Sequence, residues 1–146
     1  MTEHHFTVGE TPVDQTLFGG QIKTLVLTFY QNERPPCGLL GLMDWHFHGE
    51  VSKSVRSGAI TGQLGECSYL PLRRKNSVYH LLLVGAGPAS SPGERIILPT
   101  DALDSMRKNL SSLKFEKVGI SRSDFGNPTA EVLAKHLKGI PLWIGP

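Results

Sequence analysis

Ile22-Lys23-Thr24-Leu25-Val26-Leu27-Thr28-Phe29-Tyr30 decides the fold. The run is rich in β-branched and aromatic residues and has no glycine or proline, so it reads as a strand buried on both faces. A strand covered above and below needs helices on each side of its sheet. Beyond it, Pro35-Pro36 ends the extended stretch, and Leu39, Met43, Phe47, Val51 and Val55 recur at helical spacing with Leu42 beside them. That spacing predicts one amphipathic helix, stopped by Gly58. Gly58, Gly62 and Gly65 space a tight connection into a strand over Glu66-Cys67-Ser68-Tyr69-Leu70, closed by Pro71. Arg73-Arg74-Lys75 and Asn76 form a hairpin turn into Ser77 to Gly85, and strands joined so closely pair antiparallel.

Further on, Pro99-Thr100-Asp101 opens a helix with Thr100 as N-cap and Leu103, Met106, Leu110 and Leu113 as its buried stripe. Lys117 to Ser121 reads as a strand. Asn127-Pro128 supplies an N-cap and a proline at the first helical position, with Val132, Leu133, His136 and Leu137 following at helical spacing until Gly139. Leu142-Trp143-Ile144 is a closing strand. On the N-terminal side a short strand at Phe6 to Val8 precedes a loop through Gly9, Pro12, Gly19 and Gly20, which makes residues 1–20 an irregular lead-in. The alternation gives an α/β fold, a three-layer α/β/α sandwich around a mixed sheet, in a single domain spanning 1–146.

Composition names no partner. Fifteen Lys plus Arg against thirteen Asp plus Glu leave a net charge of +2, well short of a dedicated nucleic-acid binder. No apolar run approaches the roughly 20 residues of a membrane helix, and the polar N-terminus has no signal-peptide core, so a cytoplasmic protein without membrane contact is expected. Cys37 and Cys67 are too few for a zinc quartet or a disulfide framework and read as reduced thiols.

The order of several segments carries a resemblance. Met43-Asp44-Trp45, Gly49-Glu50-Val51-Ser52, Gly58-Ala59-Ile60-Thr61-Gly62-Gln63-Leu64-Gly65-Glu66 and Leu81-Leu82-Leu83-Val84-Gly85-Ala86-Gly87 follow one another as in the N-terminal domain of the zinc-dependent leucyl aminopeptidase family. The chain resembles that domain most densely over residues 41 to 87, and more loosely from about 21 to 138. The resemblance implies a macro-domain-like fold. It also implies that the family's catalysis lies elsewhere, in a C-terminal metal-binding domain with an Asn-Thr-Asp-Ala-Glu-Gly-Arg signature that this sequence lacks. No catalytic residue carries over.

Among the residues themselves, Asp44, His46 and His48 are the only local cluster of metal-ligand types, and no further ligand stands near them in sequence, His4, His5, His80 and His136 lying in other segments. An electrostatic pairing on a helix face is the expectation, and no metal or cofactor is expected. Trp45 shares a stripe with Gly41 and Gly49, read as packing of the helix on the sheet, with ligand stacking as the sharper alternative. Gly85, Ala86 and Gly87 after a buried strand, with Ser90, resemble a phosphate-cradling turn, but Pro88 removes an amide and no helix starts at once, so a structural turn is favoured. Arg73, Arg74 and Lys75 are the densest positive patch and read as a solvated hairpin tip, with weak nucleic-acid contact as the alternative.

Together these readings lead to a non-catalytic, stand-alone interaction or assembly module, partnered by a separate catalytic aminopeptidase subunit or by itself. Two rivals stand beside it: a macro-like binder of nucleotides or ADP-ribose, and a nucleic-acid-binding accessory protein.

Overall fold

The computed structural model describes residues 6–146, so His4 and His5 lie outside the described residues. Among the described residues six strands form one sheet: β1 (Phe6–Val8), β2 (Thr24–Phe29), β3 (Cys67–Arg74), β4 (Ser77–Gly85), β5 (Val118–Ser121) and β6 (Leu142–Gly145), in the spatial order β1-β6-β5-β2-β4-β3. All neighbours run parallel except the β3–β4 hairpin, so the sheet is mixed as expected. Every residue of β2 is buried. Its side chains alternate between two cores: Leu25, Leu27 and Phe29 enter one, Val26 and Tyr30 the other.

The first core is covered by α1 (Val13–Phe18), α2 (Gly38–His46) and α3 (Glu50–Arg56), the second by α4 (Thr100–Leu113) and α5 (Ala130–His136). This is the three-layer α/β/α sandwich expected from the order of elements. Leu103, Met106 and Leu110 form the buried stripe of α4 as the spacing predicts, while Leu113 is partly exposed.

Local details depart from expectation for identifiable reasons. The lead-in contains α1, a six-residue helix that buries Val13, Thr16 and Leu17; so short an apolar pattern has no periodicity to read. The strand expected to close at Pro71 runs on to Arg74. It is the edge strand, where a missing N–H costs no ladder bond. Pro99, not Thr100, is the N-cap of α4. Thr129, not Asn127, caps α5, its hydroxyl accepting from the Val132 amide at 3.2 Å.

The long helix expected from Leu39 to Val55 is two helices. His48 (φ 56°) and Gly49 (φ 84°) turn left-handed and break it, yet Met43, Phe47, Val51 and Val55 all stay buried. Asp44 spans the break: its carboxylate accepts the Ser52 amide at 2.9 Å and the Ser52 hydroxyl, tying the end of α2 to the first turn of α3. An acceptor there meets an amide without an intrahelical partner and complements the helix dipole. Trp45 does not pack on the sheet; it is 74% exposed and touches the His46 ring edge-on. Replacing Asp44 by Ala should lower stability by about 1 kcal/mol, the usual worth of a cap, read as a fall in urea midpoint without loss of secondary structure by circular dichroism.

Candidate functional site

Sheet order locates the crevice. The connection leaving β2 through α2 and α3 leads toward the β3 edge, whereas the one leaving β5 through α5 leads to β6 on the other side. Strand order therefore reverses between β2 and β5, and open α/β sheets bind ligands outside the carboxyl ends of the strands at such a point.

The Gly85–Gly87 turn lies at this end, and its donors are spent. The Gly85 amide donates to Glu66 O at 2.7 Å, Ala86 to Phe29 O at 3.0 Å and Gly87 to Gly62 O at 3.0 Å. A Cβ on Gly85 would stand 1.9 Å from Gln63 O, so the glycine is required for the Gly62–Glu66 segment to cross the strand end. Glu66 fixes that segment, accepting from the Thr61 and Gly62 amides and the Thr61 hydroxyl. Burial works against the Glu66 charge, but these bonds outweigh it and hold the carboxyl below its usual range. No amide of the three is left for an anion. Ser90 stands apart, exposed on the rim of a cleft of about 310 Å³ with Asn32, Glu33, Arg34, Cys37 and Pro92.

The basic trio is not one patch. Alternation along β3 puts Arg74 over the Phe18 ring at 4.4 Å, on the α1 side, and Arg73 on the opposite face. Lys75 sits at the turn with φ 57°. Among the described residues no three His, Cys, Asp or Glu side chains could hold a metal ion. Asp44 serves Ser52, and the His46 ring packs 4.7 Å from Phe18. Both cysteines are free, and burial pushes the Cys67 thiol up.

What the fold does bring together at the switch point is a set of charges from three loops. Glu33 follows β2, Arg95 follows β4 and Asp124 follows β5, and all three side chains are buried. Arg95 grips Glu33 in a fork, Nη1 donating to Oε2 at 3.0 Å and Nη2 to Oε1 at 2.8 Å, while the Gly93 amide adds a third bond at 3.0 Å. The guanidinium lies over the Tyr30 ring at 4.4 Å, and the Tyr30 hydroxyl accepts the Ile96 amide at 2.8 Å. Asp124 accepts the Thr28 amide at 2.8 Å and stands 3.7 Å from Arg95 Nε. Burial raises the Glu33 carboxyl, but the bonds from Arg95 and Gly93 outweigh it and keep the group below its usual range. For Asp124 burial wins over the Thr28 bonds and the Arg95 charge and lifts the carboxyl to about 6.

Beside this network α2 begins at Gly38, with φ 62° and no side-chain cap. A Cβ on Gly38 would lie 2.7 Å from Arg95 Nη2, so the glycine admits the guanidinium beneath the start of the helix. A second cleft of about 360 Å³ opens there, lined by Pro12, Val13, Asp14, Gly38, Leu42 and Ser121 among others. Sequence reasoning misses Glu33, Arg95 and Asp124 because a buried ion pair between distant loops leaves no local pattern. The one local signal is Gly38 itself, a glycine opening an apolar helix.

The raised Asp124 carboxyl fixes the sign of a pH effect. A group whose pKa rises on folding binds its proton more tightly in the folded state, so stability falls as pH rises from the unfolded value near 4 to about 6. In Asp124→Asn this component disappears. Urea unfolding at several pH values should show wild-type stability dropping relative to the variant by up to about 1.4 kcal/mol per pH unit in that window, and a flat difference above it.

No family model and no curated protein matches the chain by sequence. Solved structures do. The macrodomain of Mycobacterium tuberculosis DarG is 14% identical with a TM-score of 0.62, and that of Thermus aquaticus DarG is 11% identical with 0.64, each match covering 97% of both chains. Thermosipho africanus DarTG in complex with ADP-ribose is 11% identical with a TM-score of 0.63, over 98% of this chain and 42% of that one. A mutant of tomato leucine aminopeptidase is 15% identical with 0.58, over 99% of this chain and 32% of that one. At these identities the likeness is one of fold: the chain has the architecture of macrodomains.

Proposed function

We propose that the protein binds ADP-ribose or a related nucleoside diphosphate in the crevice at the carboxyl ends of β2, β5 and β6. One observation carries the reading: the uncapped, glycine-opened start of α2 and the buried Arg95 guanidinium meet at the switch point of a macrodomain architecture, between clefts of about 310 and 360 Å³. First-turn amides of a helix have no intrahelical partner and suit an anion, and a guanidinium matches phosphate oxygens in geometry and charge. Pro12, Val13 and Leu42 offer apolar wall for a base, and Asp14 offers an acceptor for ribose or amine donors. A structure of the same architecture holds ADP-ribose, which supports the choice of ligand.

This reading displaces the expectation of a pure interaction module and moves the ligand from the Gly85–Gly87 turn, whose amides are occupied, to the α2 side. The module reading keeps one support, the likeness of the whole chain to about a third of a leucine aminopeptidase. Binding without turnover is part of the proposal, and purified protein should not hydrolyse leucine anilides with added zinc or manganese.

Thermal scans decide between the two. At a hundredfold excess over its dissociation constant a ligand adds about 2.7 kcal/mol, a rise of roughly 5 to 10 °C in Tm for a domain of this size. Such a rise is expected with ADP-ribose and not with ribose. Leu42→Glu should shrink it, because a carboxylate on the partly exposed cleft wall repels a diphosphate without disturbing the core. No shift with millimolar ADP-ribose, NAD or ATP would overturn the ligand reading.

A further inference from the structure

We propose that Arg95 and the Gly93 amide form an anion site whose resident anion in the free protein is the chain's own Glu33 carboxylate, and that a phosphoryl group of the ligand takes its place. The inference rests on the nucleoside-diphosphate reading for its physiological ligand, but the anion site stands on geometry alone.

Three donors converge on one carboxylate: both terminal nitrogens of Arg95 at 2.8 and 3.0 Å and the Gly93 amide at 3.0 Å. A fork plus a backbone amide is the donor set that recognises a phosphate, and a carboxylate is the side chain that best imitates one. The site is built rather than incidental. Arg95 and Glu33 are only 9% and 6% exposed, Tyr30 supports the guanidinium from below, and the Glu94 carbonyl accepts a further bond from Nη1 at 3.1 Å.

Position separates this pair from an ordinary buried ion pair. Glu33 lines the 310 Å³ cleft, whereas Arg95 comes from the β4–α4 loop and lies against Gly38, which lines the other cleft. The residue that borders the cleft is therefore Glu33, and the guanidinium that holds it lines neither cleft and rests on the Tyr30 ring. Arg95 Nε faces Asp124 at 3.7 Å, outside the fork, so an anion that replaces the carboxylate meets the two terminal nitrogens and the Gly93 amide. Rotation of Glu33 toward the cleft would exchange one anion for another with Arg95 unmoved. Such an exchange lowers wild-type affinity by the fraction of time the carboxylate is out, and removing the carboxylate restores it.

The test is chemical rescue. Glu33→Ala and the near-isosteric Glu33→Gln are compared with wild type in thermal scans with inorganic pyrophosphate, against sodium chloride at equal ionic strength. Glu33→Ala should melt well below wild type in chloride and regain Tm saturably with pyrophosphate, by several degrees, while wild type responds little. Combining Glu33→Ala with Arg95→Met should abolish the rescue. If Glu33→Ala is unfolded in chloride, pyrophosphate should refold it; failure to do so, together with no pyrophosphate broadening of phosphorus resonances by Glu33→Gln, overturns the proposal. ADP-ribose should bind Glu33→Gln about tenfold or more tightly than wild type. Pyrophosphate rescue without ADP-ribose binding would keep the anion site and overturn the ligand reading. ADP-ribose binding to wild type without rescue or tightening would do the reverse.

Discussion

The need to bury β2 on both faces governs the structure. Its apolar residues alternate between two cores, so neither layer of helices is optional, and its two flanking strands, β4 and β5, both lie parallel to it. Gly119 of β5 shows how tightly this is enforced: a Cβ there would lie 2.3 Å from Ile22 Cδ1 at the entrance to β2. Parallel pairing on both sides puts the exits of β4, β2 and β5 at one end of the sheet. The loops that follow those strands are neighbours for that reason, although they lie 91 residues apart between Glu33 and Asp124 by number. A chain that satisfied the apolar pattern with an antiparallel β5 would bury the same side chains and disperse the charges.

Those charges are costly where they sit. Two ions taken out of water are repaid only by good geometry and full hydrogen bonding, and breaking such a pair from one side costs about 3–5 kcal/mol. Glu33 meets the condition with three donors, which hold its carboxyl below its usual range; Asp124, with one amide and a guanidinium 3.7 Å away, meets it less fully, and its carboxyl rises to about 6. Hydrophobic residues of similar volume in place of a buried ion pair are often as stable by the same argument. An arginine between two acids at a strand-end crevice is in keeping with the anion site proposed above.

Sequence reading recovers what is written in period and punctuation. The β2 run, the β3–β4 hairpin, the α4 stripe and the order of elements are all visible because burial repeats every two or every three to four residues. Helix boundaries are less so. The break at His48 and Gly49 is invisible because Met43, Phe47, Val51 and Val55 keep their spacing across it, and the contact that spans it, the Asp44 carboxylate reaching Ser52, joins residues one would place in a single helix. Of the nominated site residues, Ser90 lies on a cleft rim, while Gly85 to Gly87 prove to be a crossing point for backbone and Arg73 and Arg74 face opposite ways. Glycine content reveals close approach but not what approaches.

The contrast between two glycine-marked strand ends shows what a site requires beyond such a mark. After β4 the amides of Gly85, Ala86 and Gly87 face carbonyls of Glu66, Phe29 and Gly62, so the glycines serve packing of one backbone over another and leave no donor. After β2 the glycine at position 38 opens a nine-residue helix with no side-chain cap, and a guanidinium lies against it. Recognition of an anion depends on unspent donors, and buried donors are almost always spent. A free protein can keep such donors ready in a dry crevice only by lending them a partner that can leave, and a carboxylate on a loop side chain fulfils that condition where a backbone carbonyl fixed in a sheet does not.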